Sequence, residues 1–200
     1  MRITHAEQGT EEWLNNRLGC PSGSGFDKLI TATGKPSTQA EGYINQLIAE
    51  KLTGRTTEIK TTEWMIRGNE LEPDARNYYE LATDNTVTEI GFCKHDQFEA
   101  GVSPDGTIGS DGLIEIKCPA PATHVAYLRA GKLPTKYKQQ VQGQIWIMEA
   151  DWCDFVSFHP TMPVLITRVM RDQTYIDLLA AEVEKACETI ETQYQKLKEI

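Results

Sequence analysis

Apolar residues fall at helical spacing in the first half of the chain and again at its end, with strand-like runs between. Tyr43, Leu47, Ile48 and Leu52 stand at i, i+4, i+5 and i+9 with Gly54 after them, which predicts a helix and its stop. Ile66, Tyr78, Tyr79 and Leu81, spread among polar residues, predict a second helix from Trp64 to Leu81, with Pro73 as a kink or a new first turn. Strand signals follow. TVTEIGF at 86–92 is β-branched, and VSPDGTIG and DGLIEIKC are short runs set off by Gly, Asp and Ser. GSDG at 109–112 predicts a hairpin turn between them.

Further helices are predicted at 122–130, with Gly131 as C-cap, and at 134–149 around QQVQGQIWIM. Strands near 154–159 and at 164–170 are joined by a Pro-rich turn. The last element is an amphipathic helix from Gln173, bearing Tyr175, Leu178, Leu179, Val183, Ala186, Ile190, Tyr194 and Leu197. Thr31–Ala40, TATGKPSTQA, reads as a mobile loop. This order predicts an α/β (α+β) fold with a central mixed β-sheet flanked by helices.

Composition narrows the class. Two hundred residues suit a single domain over 1–200, and 40% hydrophobic with 24% charged residues is ordinary for a soluble globular protein. No apolar run is long enough to span a membrane, and MRITHAEQGTEEW lacks the pattern of a secretory signal, so a cytoplasmic location is expected. The five cysteines are scattered singly with no CxxC pair, which argues for reduced, mostly buried thiols rather than zinc, a cluster or disulfides.

A net charge of −9 counts against nucleic acid until its distribution is read. Between Ile116 and Met148 there is no acid, while Lys117, Arg129, Lys132, Lys136 and Lys138 carry five positive charges, leaving −14 on the remainder. A polyanionic partner would use that segregation; a solvated basic face would also show it.

The chemistry concentrates in SPDGTIGSDGLIEIKCP, residues 103–119. In a strand, Glu115 and Lys117 project to one face and Ile114 and Ile116 to the other, into the core. A hairpin through GSDG brings Asp105 beside Glu115. Hard oxygen donors suit Mg²⁺, or Mn²⁺ in its place. A metal held by Asp105, Glu115 and the Ile116 backbone carbonyl would polarise a phosphodiester and activate water. Lys117 would orient or deprotonate that water, or offset charge on the phosphate. A surface salt bridge between Glu115 and Lys117 satisfies the bare pattern equally well. RGNELEPDARNYYE at 67–80 adds Glu70, Glu72 and Asp74; Glu72 is placed to complete a ligand set, and all three also fit a solvated helix face.

These stretches carry a resemblance. With EQGTEEWLNNRLG at 7–19, RGNELEPDAR, SPDG at 103–106, EIKCP at 115–119 and QVQGQIW at 140–146 in this order, the chain resembles the phage-type alkaline exonucleases. That is the lambda exonuclease and YqaJ-like viral recombinase family of the PD-(D/E)XK nuclease superfamily. The resemblance implies a restriction-endonuclease-like core, Asp105 and Glu115 as metal ligands, Lys117 as catalytic lysine, Glu72 rather than Glu70 as the helix-borne acid, and two Mg²⁺ ions. It implies a pocket for the 5′-phosphate in which Arg17 is accompanied by Ser24, Ser103 and Gln142. Gln142 has the alternative of positioning Lys117 or a metal-bound water.

Trp13 matches an aromatic of the N-terminal motif, although a core role suits it better. In CPAPATHV some relatives place a basic residue where Thr123 stands, one position before His124, a departure that weakens the local DNA contact. Lys35, in the loop, is a candidate duplex contact, and the family's unwinding wedge has no clear counterpart. The implied activity is a 5′→3′ exonuclease that resects double-strand ends to mononucleotides. The implied partners are a homotrimeric ring of copies and a single-strand annealing protein, in a bacterial host cytoplasm, from a phage or prophage gene. Two rivals stand beside it: a restriction- or resolvase-type endonuclease of the same superfamily, and a non-catalytic DNA-binding scaffold.

Overall fold

The computed structural model describes residues 2–3, 10–57 and 62–200. The strands are β1 (Arg2–Ile3), β2 (Val87–Thr88), β3 (Cys93–Lys94), β4 (Gly101–Val102), β5 (Gly106–Ile108), β6 (Gly112–Lys117), β7 (Trp152–Ser157) and β8 (Leu165–Met170). The helices are α1 (Glu11–Arg17), α2 (Ala40–Thr53), α3 (Glu63–Thr83), α4 (Pro121–Ala130), α5 (Lys138–Ile147) and α6 (Gln173–Lys198), with 3₁₀ turns at Gly23–Lys28 and Thr135–Tyr137.

The five-stranded sheet runs β2-β5-β6-β7-β8, and only β6 and β7 are parallel. A parallel pair needs a crossover, and α4 and α5 supply it. A small antiparallel sheet, β1-β3-β4, stands apart from it. The central strand β6 is buried on both faces, and its alternation separates two cores. Leu113 joins Phe26, Leu47, Val141, Ile145, Leu179 and Val183 of the elements on one side. Ile114 and Ile116 join Ala75 and Tyr79 of α3 on the other.

The expected mixed sheet with flanking helices is therefore the observed one, and the differences from the sequence reading are local. The stretch 86–92 forms only the two residues of β2, and 101–108 is broken into β4 and β5 around Ser103–Asp105. Pro73 lies inside α3 without ending it. Gly54 and Gly131 do end their helices in left-handed conformation, as the spacing predicts. Leu52, Leu178 and Leu197, counted on buried faces, are exposed. Loop 31–40 is tied by Thr31 N–H to the Lys35 carbonyl (2.7 Å) and Ser37 N–H to the Leu29 carbonyl (2.9 Å). All five cysteines are free, four of them buried.

One close approach sets the position of α5. A Cβ on Gly143 would lie 2.5 Å from the Phe26 ring, so the bare glycine lets the helix settle onto the 3₁₀ turn beneath it. The same helix turns another face toward β6.

Candidate active site

β5 and β6 form a hairpin through Gly109–Asp111 in which Gly106 faces Ile114 and Ile108 faces Gly112. One step outward, the Asp105 N–H donates to the Ile114 carbonyl at 3.1 Å, so Asp105 stands opposite Glu115. Directly opposed residues share a face. The Asp105 carboxylate accepts from the Ile116 N–H at 2.6 Å. Strand alternation turns the Ile116 carbonyl to this same side, just past the end of β5.

Glu115 is fully buried, and Lys117 forms an ion pair with it through Oε1. Two amides from α5 complete its surroundings. Gln140 Nε2 donates to Oε1 at 2.6 Å and Gln144 Nε2 to Oε2 at 2.5 Å. Gln140 and Gln144 are one helical turn apart and so share a face. Gln142, between them, points away: it donates to the Met170 carbonyl (2.9 Å) and accepts from the Asp172 N–H (2.9 Å).

The electrostatics are those of crowded acids. Burial and the neighbouring Glu115 push the Asp105 carboxyl well above the usual range, against the pull of Lys117 and the Ile116 N–H. Glu72, on α3, is raised by burial as well, with Arg76 and Lys117 opposing and Glu115 adding to the rise. It is also salt-bridged to Arg76 at 2.9 Å. Burial works against the Lys117 ammonium, but Glu115 and Asp105 outweigh it and hold its pKa above the usual lysine value.

A hard divalent cation fits this chemistry, since the donors are carboxylate oxygens and a backbone carbonyl, and the crowding is what a cation relieves. Among the described residues no three His, Cys, Asp or Glu side chains are already gathered as a metal cage. Asp105 and Glu115 oppose one another across the hairpin, and Glu72 is paired with Arg76.

A second cluster adjoins the first. Thr10 caps α1, which ends at Arg17. The Arg17 guanidinium donates to Ser22 Oγ (3.0 Å) and Ser24 Oγ (3.3 Å) and lies 4.0 Å from the Trp13 ring centre. The Trp13 indole N–H donates to Ser103 Oγ at 3.2 Å, two residues before Asp105. Burial lowers the Arg17 pKa, and among the described residues no carboxylate pairs with it. Trp13 is thus both buried and part of this cluster.

The structure therefore brings together Asp105, Glu115, Lys117, with Glu72 close by, and joins Arg17, Ser24 and Ser103 through Trp13. It does not bring in Gln142, and Lys35 is exposed in its loop. His124 is a satisfied core residue, with Nδ1 2.8 Å from Ser157 Oγ and Nε2 2.9 Å from the Pro163 carbonyl. Ser22, Gln140 and Gln144 were not singled out from the sequence. The i, i+4 spacing of Gln140 and Gln144 was the signal available for the two amides. Glu7–Gly9 of the N-terminal motif lie outside the described residues.

A mixed sheet between helices, with opposed carboxylates and a lysine at the ends of adjacent strands, defines a nuclease of the restriction-endonuclease-like kind. The profile of the YqaJ-like viral recombinase domain matches residues 12–151, and the chain belongs to that family. It is similar to an alkaline exonuclease, LHK-Exo, from Laribacter hongkongensis, with 37% identity over 95% of this chain and 97% of that one, at a TM-score of 0.87. A structure of LHK-Exo in complex with dAMP matches at 37% identity, with the same coverage and a TM-score of 0.86. A phage related exonuclease from Haemophilus somnus 129PT shares the fold at 18% identity, covering 89% of this chain and 96% of that one, with a TM-score of 0.70. No curated protein matches the chain.

Proposed function

We propose that the chain, as one nuclease domain over 1–200, is a Mg²⁺-dependent 5′→3′ exonuclease that resects one strand of duplex DNA from its end to mononucleotides. The observation that carries this reading is the continuity of the acidic centre with the Arg17 cluster, through Ser103 and Trp13. A guanidinium with hydroxyl companions suits the oxygens of a terminal phosphate, and an internal-cleavage enzyme has no use for it. The similarity to an alkaline exonuclease, and to its complex with a mononucleotide, points the same way.

In this mechanism Asp105, Glu115 and the Ile116 carbonyl would hold the cation, and Glu72 would take part in holding a second. Those residues would place a cation whose chemistry, when bound, would be Lewis-acid polarisation of the phosphodiester and a lowered pKa for water. Glu115, fixed by Gln140, Gln144 and Lys117, keeps its orientation while charge develops on the phosphate. Lys117, paired with Glu115, would offset that charge, or orient or deprotonate the attacking water. Arg17, Ser22, Ser24 and Ser103 grip the 5′ end and set the register of cutting.

The 3′ overhang left behind would pass to a single-strand annealing protein, and a homotrimeric ring would keep the enzyme on its duplex, in a bacterial host's cytoplasm. Among the described residues no helix is long and apolar enough to cross a membrane.

The test compares linear duplex carrying one 5′-phosphate with closed circular DNA, in Mg²⁺ and in chelator. Digestion of the phosphorylated strand alone, lost in chelator and on Arg17→Ala, with closed circles left intact, is expected. Equal cutting of circles would support the endonuclease rival instead.

A further inference from the structure

The donors around Glu115 are unevenly divided. Gln140 and Lys117 both address Oε1, and among the described residues Gln144 alone addresses Oε2. The terminal torsion of a glutamate is broad, so contacts at one oxygen leave the carboxylate plane free to turn. The second contact at Oε2 removes that freedom.

Gln144 makes this contact at a local cost. It is 1% exposed, and while Nε2 donates to Glu115, its own Oε1 is buried with no partner. An orphaned buried acceptor is destabilising, and an apolar side chain of the same length would fill the space without that cost. A broken local rule beside a functional centre is a sign of selection for the centre. Gln139, on the same helix, also leaves Oε1 unpaired, but its Nε2 donates to the Ile30 carbonyl at 3.1 Å. That residue ties α5 to a loop and makes a natural control.

We infer that Gln144 is a positioning residue, fixing the Glu115 carboxylate so that its remaining lone pairs are presented to a divalent cation beside Asp105. This rests on the reading of Asp105 and Glu115 as a metal-binding pair. Partners that orient a ligating carboxylate are typically worth 10–100-fold in metal affinity.

The experiment titrates the metal-stripped full-length protein with Mn²⁺ by calorimetry, without DNA, and records melting temperature in chelator. Gln144→Met is expected to weaken Mn²⁺ binding by about 10–100-fold, with a melting temperature equal to or above the parent's. Gln139→Met is expected to lower the melting temperature and keep Mn²⁺ affinity close to the parent's. Should Gln144→Met fail to fold, Gln144→Asn, one methylene too short to reach Oε2, should give the same loss. Parental Mn²⁺ affinity in the Gln144 variant, or an equal loss in Gln139→Met, would overturn the role of Gln144 while leaving the metal reading intact. A parent that binds no Mn²⁺ would overturn both.

Discussion

Burial and Glu115 disfavour a negative charge on Asp105, and Lys117 with the Ile116 N–H only partly compensates. An acid whose folded pKa is raised destabilises the fold at pH above that pKa, and the penalty fades as pH falls toward its unfolded value. Asp105→Asn keeps an oxygen for the Ile116 N–H and removes the charge. In chelator at pH 7–8 it should melt higher than the parent by a few degrees, the scale of about 1 kcal/mol in a chain of this size. The difference should vanish near pH 4, and nuclease activity should be lost throughout. Equal melting temperatures at pH 8 would count against the crowded-acid account.

Lys117 shifts the opposite way in effect: its raised pKa keeps the ion pair, and its stabilisation, through the lysine's unfolded pKa of about 10.4 and loses it only above. Lys117→Ala should slow digestion of linear duplex by about 100-fold or more, and the parent's rate should hold past a free lysine's pKa of about 10.4. A decline with a free lysine's titration would show that Lys117 is not held as an ammonium. At this scale the sequence was informative where residue type and spacing act together. Asp105, Glu115 and Lys117 were legible because strand alternation and a hairpin determine their juxtaposition. Gln142 was misleading: in a glutamine-rich helix the side chain that meets the sheet depends on helix rotation, which packing on Phe26 and Leu179 sets.

Helix α5 shows how an element serves the site without containing a ligand. One face packs on the 3₁₀ turn through Gly143, and another presents Gln140 and Gln144 to Glu115. Gly143→Ala would place a methyl 2.5 Å from the Phe26 ring and push the helix off its seat. Overpacking of this kind costs about 1–3 kcal/mol. The melting temperature should fall accordingly, and activity should fall further than stability alone explains, because both amides move with the helix. Full activity in a destabilised variant would show that their placement matters little.

Long elements such as α6, β6 and β7 were readable because their apolar periodicity runs for several turns or alternations, whereas α3 was read from scattered apolar residues of which Ile66, Tyr78 and Leu81 are exposed. β2, β3 and β4 are two residues each. Nothing so short has a period, and their pairing is set by partners distant in sequence. Ser103–Asp105, in the break between β4 and β5, owes its position to those pairings.

At the scale of the molecule the question is how an acidic chain receives a polyanion. The net charge of −9 is unevenly spread, and the crossover from β6 to β7 carries the cations. They are not equivalent. Lys117 is committed to Glu115, and Lys138 lies 3.5 Å from Asp172 and 4.0 Å from the Tyr175 ring centre. Arg129, Lys132 and Lys136 are exposed, with Lys136 4.7 Å from the centre of the Tyr137 ring, which itself lies beside Lys117. Of these, Lys136 is linked to the acidic centre through the Tyr137 ring, and all three are exposed where a phosphate could reach them. Each phosphate neutralised releases counterions, so log affinity falls with log salt at a slope of about −0.9 per contact. The double variant Lys132→Glu, Lys136→Glu should weaken binding to a duplex in chelator and flatten the salt dependence by up to about two units of slope. As surface changes, the two should leave stability within about 0.5 kcal/mol per site. An unchanged slope would mean that the duplex lies elsewhere and that the acid-free stretch is a solvated face.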